Sequence, residues 1–233
     1  MSHQAVLPLV SFPATAPAPA HTGRRKPIDP PAARDLRLLR AGRRGGQVAL
    51  GTLEAPYIPG ADLSALRGFE GLAVTVTTQS PEILDDLERW VELDRRCSVT
   101  VDMMLAAVDP FLVRRLEPGA AEARARLRAV AGLAAEGIAV RILCTPLCPG
   151  LNDREAALRA LLTAARDAGA SDVLAGAAPV HASRFARLLS GMGDALAGRR
   201  APRDPEADLD PRLALFRRLK LEFGFPRLSS GRG

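Results

Sequence analysis

Short β-branched runs alternate with helical segments through most of this 233-residue chain. Five runs have the composition of buried strands, at residues 47–53, 72–78, 98–104, 139–146 and 172–180. Helical periodicity marks the segments between and after them, at residues 81–93, 121–136, 153–168 and 211–223. Strands that alternate with helices of this length predict βα units around a parallel sheet. We therefore expect an α/β fold, either an open sheet or part of a barrel.

Local signals mark where two of the helices begin. Ser80 precedes Pro81, which is typical of an N-cap followed by the first helical position. Asn152 has Glu155 three positions later, a spacing that resembles a capping box. Gly137 is predicted to end the helix before it. These signals place helices between the predicted strands, as the connections of a parallel sheet require.

The two ends of the chain differ from this central body. Residues 1–32 are rich in proline and contain a basic run, so they are predicted to be a disordered tail. The body is predicted over residues 33–224, beginning with a short helix at 33–40, and residues 225–233 form a second disordered tail. No apolar stretch is long enough to cross a membrane. With only three cysteines, the expected location is the reducing cytoplasm.

The formal net charge is +6, and it comes almost entirely from arginine, since Lys26 and Lys220 are the only lysines. This charge is compatible with nucleic acid or another polyanion as a partner. The alternative is that the arginines are spread over solvated helix faces. Aromatic residues make up only 4% of the chain, which disfavours a stacking surface for single-stranded nucleic acid.

Cys144 and Cys148 have C-x3-C spacing, which suggests a metal site only if further ligands join them. Zinc and iron–sulfur centres need three or four ligands, and the position that would extend the motif is Leu151. Cys97 belongs to a different strand. We interpret Cys144 as a small buried residue and Cys148 as a loop thiol. Paired histidines, a P-loop and a serine hydrolase elbow are absent from the sequence.

Several polar residues are predicted to lie at the carboxyl ends of the strands, where α/β proteins bind ligands. Asp102 is the most notable of them and is expected at the end of its strand, as a general base, a cation ligand or a helix cap. Thr52, Glu54 and Thr145 are expected at the same edge. Glu117 precedes a predicted helix, where its carboxylate would interact favourably with the positive N-terminal end of the helix dipole.

Three stretches carry a resemblance to a known family. Residues 49–59, ALGTLEAPYIP, resemble G-T-x-T-D-P-Y-Q-P, and residues 78–86 resemble T-K-S…R-D. The third stretch runs through residues 115–118, 126–127, 137–138 and 146–153, and resembles E-P…R-L…G-I…P-x-x-P-G-x-N-D. Together they are similar to the radical SAM superfamily, in its spore photoproduct lyase-like branch.

The resemblance implies a partial (β/α) barrel of about five or six parallel strands. Family members hold a [4Fe–4S] cluster on a C-x3-C-x2-C loop after the first strand, and S-adenosylmethionine binds to that cluster. By the same resemblance, six residues correspond to positions of a vestigial cofactor pocket: Thr52, Tyr57, Gln79, Asp102, Glu117 and Arg126.

The chain departs from the family at the residues that matter for chemistry. No cysteine precedes Cys97, and the first βα unit is expected to be missing. Gln79 replaces the family lysine, and Asp85 replaces its arginine. Asp102 stands where the family has a serine near S-adenosylmethionine, so its carboxylate would repel the carboxylate of that ligand.

These departures predict a degenerate radical SAM-like protein without a catalytic residue, a metal or a bound cofactor, retained as a binding scaffold. A missing first strand would expose a sheet edge to a protein partner or to self-association. The alternatives are a small barrel enzyme of another class, using Asp102, Glu54 and Thr145, one half of a split radical SAM enzyme, or a decayed remnant.

Overall fold

The computed structural model describes residues 47–53, 55–60, 63, 66, 68–145, 147–148, 151–175 and 209–226. The strands are β1 Gln47–Leu50, β2 Ala73–Thr78, β3 Ser98–Met104, β4 Ala139–Cys144 and β5 Asp172–Ala175. The α-helices are α1 Leu87–Asp94, α2 Pro110–Leu116, α3 Ala123–Ala135, α4 Glu155–Asp167 and α5 Leu209–Glu222, and a 3₁₀ segment, Pro81–Asp86, precedes α1.

The five strands form one sheet in the order β1–β2–β3–β4–β5, and every neighbouring pair is parallel. The α/β prediction is confirmed. Because crossovers between parallel strands are right-handed, a strand order that follows the sequence without reversal carries successive crossover helices to the same face of the sheet.

One face of the sheet forms the apolar core with those helices. Its side chains alternate along the strands and are almost fully buried: Val74, Val76, Val99, Val101, Met103, Val140, Ile142 and Val173. Helical residues join the same core, among them Ile83, Trp90, Val130, Leu133, Leu158, Leu161 and Phe216. Burial of this apolar surface is the main force that holds helices and sheet together.

The opposite face, called the polar face below, carries mostly small or polar side chains, with Met104, Leu143 and Leu174 at its carboxyl end. At its amino end Ala73, Ser98 and Ala139 are exposed, while Thr75 and Thr100 are half-buried. Towards the carboxyl end Thr77, Asp102 and Met104 are buried, whereas Leu143 and Leu174 stay half-buried. Parallel sheets are normally apolar on both faces because helices cover both. Among the described residues, this face therefore differs from an ordinary covered sheet.

The short helix α2 was not predicted from the sequence. Asp109 caps its beginning, since Oδ1 accepts hydrogen bonds from the backbone N–H of Phe111 at 2.8 Å and of Leu112 at 3.0 Å. Pro110 occupies the first turn, as is typical of helix starts. With seven residues, the helix is too short for its periodicity to be visible.

The capping box at Asn152 was a wrong prediction. Helix α4 begins at Glu155 with Arg154 as its N-cap, and no side chain caps it. The Asn152 side chain bonds to two loops instead, as described below.

Several sequence predictions lie outside the described residues: the tail at 1–32, the helix at 33–40, and nearly all of the tail at 225–233. Phe225 is described and buried, so the packed body reaches past residue 224. Within the described ranges, no helix is long and apolar enough to cross a membrane.

Candidate functional site at the carboxyl edge of the sheet

The loop after β1 folds back against the end of β2. The N–H of Tyr57 donates to the carbonyl of Thr77 at 2.7 Å, and Thr78 Oγ1 donates to the carbonyl of Tyr57 at 2.8 Å. Gly51 makes this approach feasible at a φ of 79°. A Cβ there would lie 2.3 Å from the nitrogen of Tyr57 and 2.5 Å from the carbonyl oxygen of Thr77. The loop is therefore fixed in place by a position that needs glycine.

Asp86 fastens the other end of this loop. Its Oδ2 accepts the N–H of Gly60 at 2.8 Å, and its Oδ1 pairs with Arg89 at 2.8 Å. The carboxylate is buried and belongs to the 3₁₀ segment that begins the helix predicted at residues 81–93. The loop after β1 is thus held at two points.

Three of the predicted pocket residues belong to this region, and they have different surroundings. Tyr57 is buried, with its ring centroid 5.5 Å from that of Trp90 in an edge-to-face contact. Thr52 is exposed, and its Oγ1 accepts the N–H of Ala55 at 3.1 Å. Gln79 is half-buried just after β2. Tyr57 therefore packs in the core, while Thr52 and Gln79 lie at the carboxyl edge.

Glu117 and Arg126 form a buried two-bond ion pair. Arg126 Nη1 and Nη2 donate to Glu117 Oε1 and Oε2, both at 2.9 Å, and Nη1 also donates to the carbonyl of Met104 at 2.6 Å. The N–H of Ala106 approaches Glu117 Oε2 at 3.4 Å. Arg126 is completely buried. The pair joins the end of α2, the body of α3 and the loop after β3.

Asn152 connects the loops that follow β3 and β4. Its Nδ2 donates to the carbonyl of Ala106 at 2.8 Å, and its Oδ1 accepts the N–H of Cys148 at 2.7 Å. The thiol of Cys144 donates to the same carbonyl at 3.6 Å. Sequence reasoning missed this role because the contact from residue 152 to residue 106 is long-range, and the local spacing suggested a cap.

The three cysteines lie at opposite ends of the sheet. Cys97 precedes β3 at the amino end, where its thiol donates to the carbonyl of Phe69 at 3.6 Å. Cys144 ends β4, and Cys148 follows in the next loop. Since Met104 is level with Leu143, β3 separates Cys97 from the other two by about 25 Å. The three sulfurs therefore cannot reach a common iron–sulfur cluster.

Burial determines the chemistry of the two neighbouring thiols. It raises the pKa of Cys144 to about 12, with a smaller effect from the charge of Glu117. Burial, followed by the charge of Asp153, raises the pKa of Cys148 to about 12 as well. The prediction that Cys144 is a buried small residue is confirmed, and Cys148 is buried too. Over the described ranges, no three His, Cys, Asp or Glu side chains form a group that could hold a metal.

Asp102 lies within β3 rather than at its end, so its predicted position was wrong. It shares a register position with Arg141 of β4, and the two form a two-bond ion pair. Arg141 Nε donates to Asp102 Oδ1 at 2.6 Å, and Nη2 donates to Oδ2 at 2.7 Å. The hydrogen bond to Asp102 raises the pKa of Arg141, against the opposing effect of burial, and the charge of Asp172 acts in the same direction.

This pair belongs to a row of alternating charges on the polar face. Asp172 of β5 is level with Arg141, and its Oδ1 lies 2.6 Å from Nζ of Lys220 on α5. Thr77 is level with Asp102 on the other side. The sequence contained two usable signals for the row, which are the charged residues within the runs SVTVDMM and AVRILC.

Of the remaining predicted positions, one is buried and the others lie outside the described residues. Thr145 follows β4 and is buried. Glu54, Pro146, Pro149 and Gly150 lie outside the described residues. The structure thus brings Glu117, Arg126 and Asn152 into one connected region and keeps Asp102 in a separate pair with Arg141.

The chain is similar to uncharacterized proteins of Mycobacterium bovis and of two strains of Mycobacterium tuberculosis. Each is 31% identical to it over 145 residues, a match that covers 58% of this chain and 42% of the relative. The matched region thus spans less than half the length of these relatives. No protein-family model matches the chain.

Proposed function

We propose that this chain is a radical SAM-like protein of the spore photoproduct lyase-like branch that lacks a cluster and acts as a binding scaffold. Its strands would form part of a (β/α) barrel, with the polar face as the inner wall. The strand order supports this, since a sheet that never reverses direction carries its helices on one side, as a barrel does.

The residues of the third resembling stretch support the scaffold part of the proposal. Glu117, Arg126 and Asn152 are buried and hydrogen-bonded to the loops after β3 and β4. They hold backbone in place and leave few free polar groups to bind a cofactor. A protein that had lost the chemistry of such a family would keep these contacts, because they stabilise the fold.

The separation of the cysteines carries the proposal. A [4Fe–4S] cluster of the family requires three thiolates on one loop. Here Cys97 is at the wrong end of the sheet, and burial keeps Cys144 and Cys148 as neutral thiols at neutral pH. The residues present therefore do not fit the cluster.

Anaerobic reconstitution with iron and sulfide tests the proposal. We expect no stoichiometric iron and no thiolate–iron absorbance near 400 nm. The double variant Cys144→Ala/Cys148→Ala is the control, and its background iron should equal that of the wild type. About four irons per chain that disappear in the double variant would contradict the proposal.

One observation favours a second candidate, a part of a split radical SAM enzyme. More than half of each mycobacterial relative lies outside the matched region. A separate chain could supply the C-x3-C-x2-C loop and pair with β1, which among the described strands contacts β2 alone. Co-expression with a neighbouring reading frame that carries this motif, followed by iron analysis of the purified complex, distinguishes the two candidates.

Exposed arginines support a polyanion as one partner of the scaffold. Arg124 and Arg128 lie one turn apart on the exposed side of α3. Some other arginines are neutralised, as Arg159 is by Glu155 and Glu222, both at 2.8 Å. The surface of α3 is therefore the first place to test for phosphate contacts.

A further inference from the structure

The Asp102–Arg141 pair occupies a position that the resemblance assigns to the receipt of S-adenosylmethionine. Asp102 stands where the family has a serine, and the residues here do not fit that ligand. The side chain of Asp102 is only 9% exposed, while that of Arg141 is 34% exposed. We infer that this ion pair excludes the carboxylate of S-adenosylmethionine from the polar face, with Asp102 as the residue that determines the exclusion. The inference rests on the proposed function.

The geometry explains why Arg141 cannot receive a ligand carboxylate. Its Nε and Nη2 both donate to Asp102, at 2.6 and 2.7 Å, so one full edge of the guanidinium is already used. A competing carboxylate would have to displace Asp102 and leave that charge buried without a partner. Breaking a pair in this way is strongly unfavourable.

The surroundings reinforce the exclusion. Asp172 lies level with Arg141 on the next strand, so the guanidinium has a carboxylate on each side. Lys220 is buried and forms an ion pair with Asp172, with 2.6 Å between Nζ and Oδ1. An incoming carboxylate therefore meets the charges of Asp102 and Asp172, and two cations, Arg141 and Lys220, that are already paired with them. Unfavourable charges of this kind exclude ligands as effectively as favourable ones select them.

Removal of the Asp102 charge should reverse the effect. In Asp102→Ser the guanidinium of Arg141 loses its partner and becomes an exposed donor pair for a carboxylate. Asp102→Asn keeps the size of the side chain and removes the charge. Arg141→Gln removes the donor and leaves Asp102 in place, so it provides the reciprocal control.

Binding of S-adenosylmethionine is measured by isothermal titration calorimetry on the wild type and the three variants, with circular dichroism to establish folding. The wild type and Arg141→Gln should show no binding up to about 1 mM ligand, a limit that corresponds to very weak affinity. Asp102→Ser and Asp102→Asn should bind at least about tenfold more tightly, because a like-charge contact costs more than that factor.

Two results would overturn the inference. The first is wild-type binding within about twofold of Asp102→Ser, which would mean that the pair excludes nothing. The second is a lack of binding by both folded Asp102 variants, which would mean that a feature other than Asp102 prevents binding of S-adenosylmethionine. Iron content tests the proposed function separately from this inference. If the variants fail to bind S-adenosylmethionine and the chain holds no iron, only the inference is overturned. If a cluster assembles, the proposed function itself is overturned.

Discussion

Arg126 of α3 donates to both carboxylate oxygens of Glu117 at 2.9 Å and to the carbonyl of Met104 at 2.6 Å. One completely buried side chain thereby fixes the end of α2 relative to the carboxyl end of β3. Two residues that the resemblance assigned to a cofactor pocket form, in this fold, a buried structural connection.

Removal of one member of this pair should be costly. Arg126→Met should lower the free energy of unfolding by about 3–5 kcal/mol, because Glu117 stays buried without its partner. The double variant Glu117→Gln/Arg126→Met should be more stable than Arg126→Met alone. Urea unfolding of the single and double variants gives both values. A loss below about 1 kcal/mol would show that the pair contributes as little as a surface salt bridge.

Gly51 and Gly60 offer a matched comparison of two glycines with positive φ. Their φ angles are 79° and 80°, yet only at Gly51 does a Cβ meet backbone atoms. Gly51→Ala should therefore destabilise the chain by clearly more than about 1 kcal/mol, the cost expected for the φ angle alone. Gly60→Ala, with open space around it, should show only that smaller cost. Equal losses in thermal unfolding would contradict the close approach of the β1 loop to β2.

The two buried thiols predict a loss of stability at high pH. Their folded-state pKa is about 12, above the ordinary value of 9.0, so the folded state holds these protons more tightly than the unfolded state. The stabilisation is fully present below pH 9.0 and is lost as the pH rises towards about 12. Urea unfolding as a function of pH should show a steeper decline for the wild type than for Cys144→Ala/Cys148→Ala. Parallel profiles would mean that the thiols are accessible to solvent.

Lys220 and Asp172 should respond unequally to neutralisation. The Lys220 side chain is 2% exposed and that of Asp172 is 17% exposed. Asp172→Asn leaves a buried ammonium without a partner, whereas Lys220→Met leaves a carboxylate that keeps some contact with water and with the N–H of Val173. Asp172→Asn should therefore be the more destabilising change in urea unfolding. The reverse order would indicate that Lys220 is not buried in solution.

The arginines of α3 should contribute to polyanion binding through charge alone. Arg124→Gln/Arg128→Gln should weaken binding of a short duplex DNA and lower its salt slope by about 2, one for each lost contact. Arg159→Gln is the control, since Glu155 and Glu222 already engage that side chain. Fluorescence anisotropy over a range of salt concentrations measures the slope. Equal effects from both variants would assign the binding to net charge.

The sequence predicted the strands well because each is a short β-branched run, and β3 was placed at its observed bounds, Ser98–Met104. Helix α2 was missed because seven residues hold too few turns to show a period. The site was predicted less well. The partners of Asp102 and Asn152 lie on other strands or loops, and a local pattern carries no information on such contacts. The charges of Asp102 and Arg141, each within a strand run, indicated a second, polar face.

The uninterrupted strand order also bears on how such a chain acquires its structure. Each strand pairs with the next one along the chain, so every pairing closes only the single connection between those two strands. The sheet can therefore grow by successive addition, without waiting for distant segments to meet. A terminal unit can be gained or lost while the pairings of the others stay intact, as in repeat proteins whose units contact only their neighbours. In evolutionary terms, this topology tolerates changes in the number of its units more readily than a sheet whose central strands come from both ends of the chain.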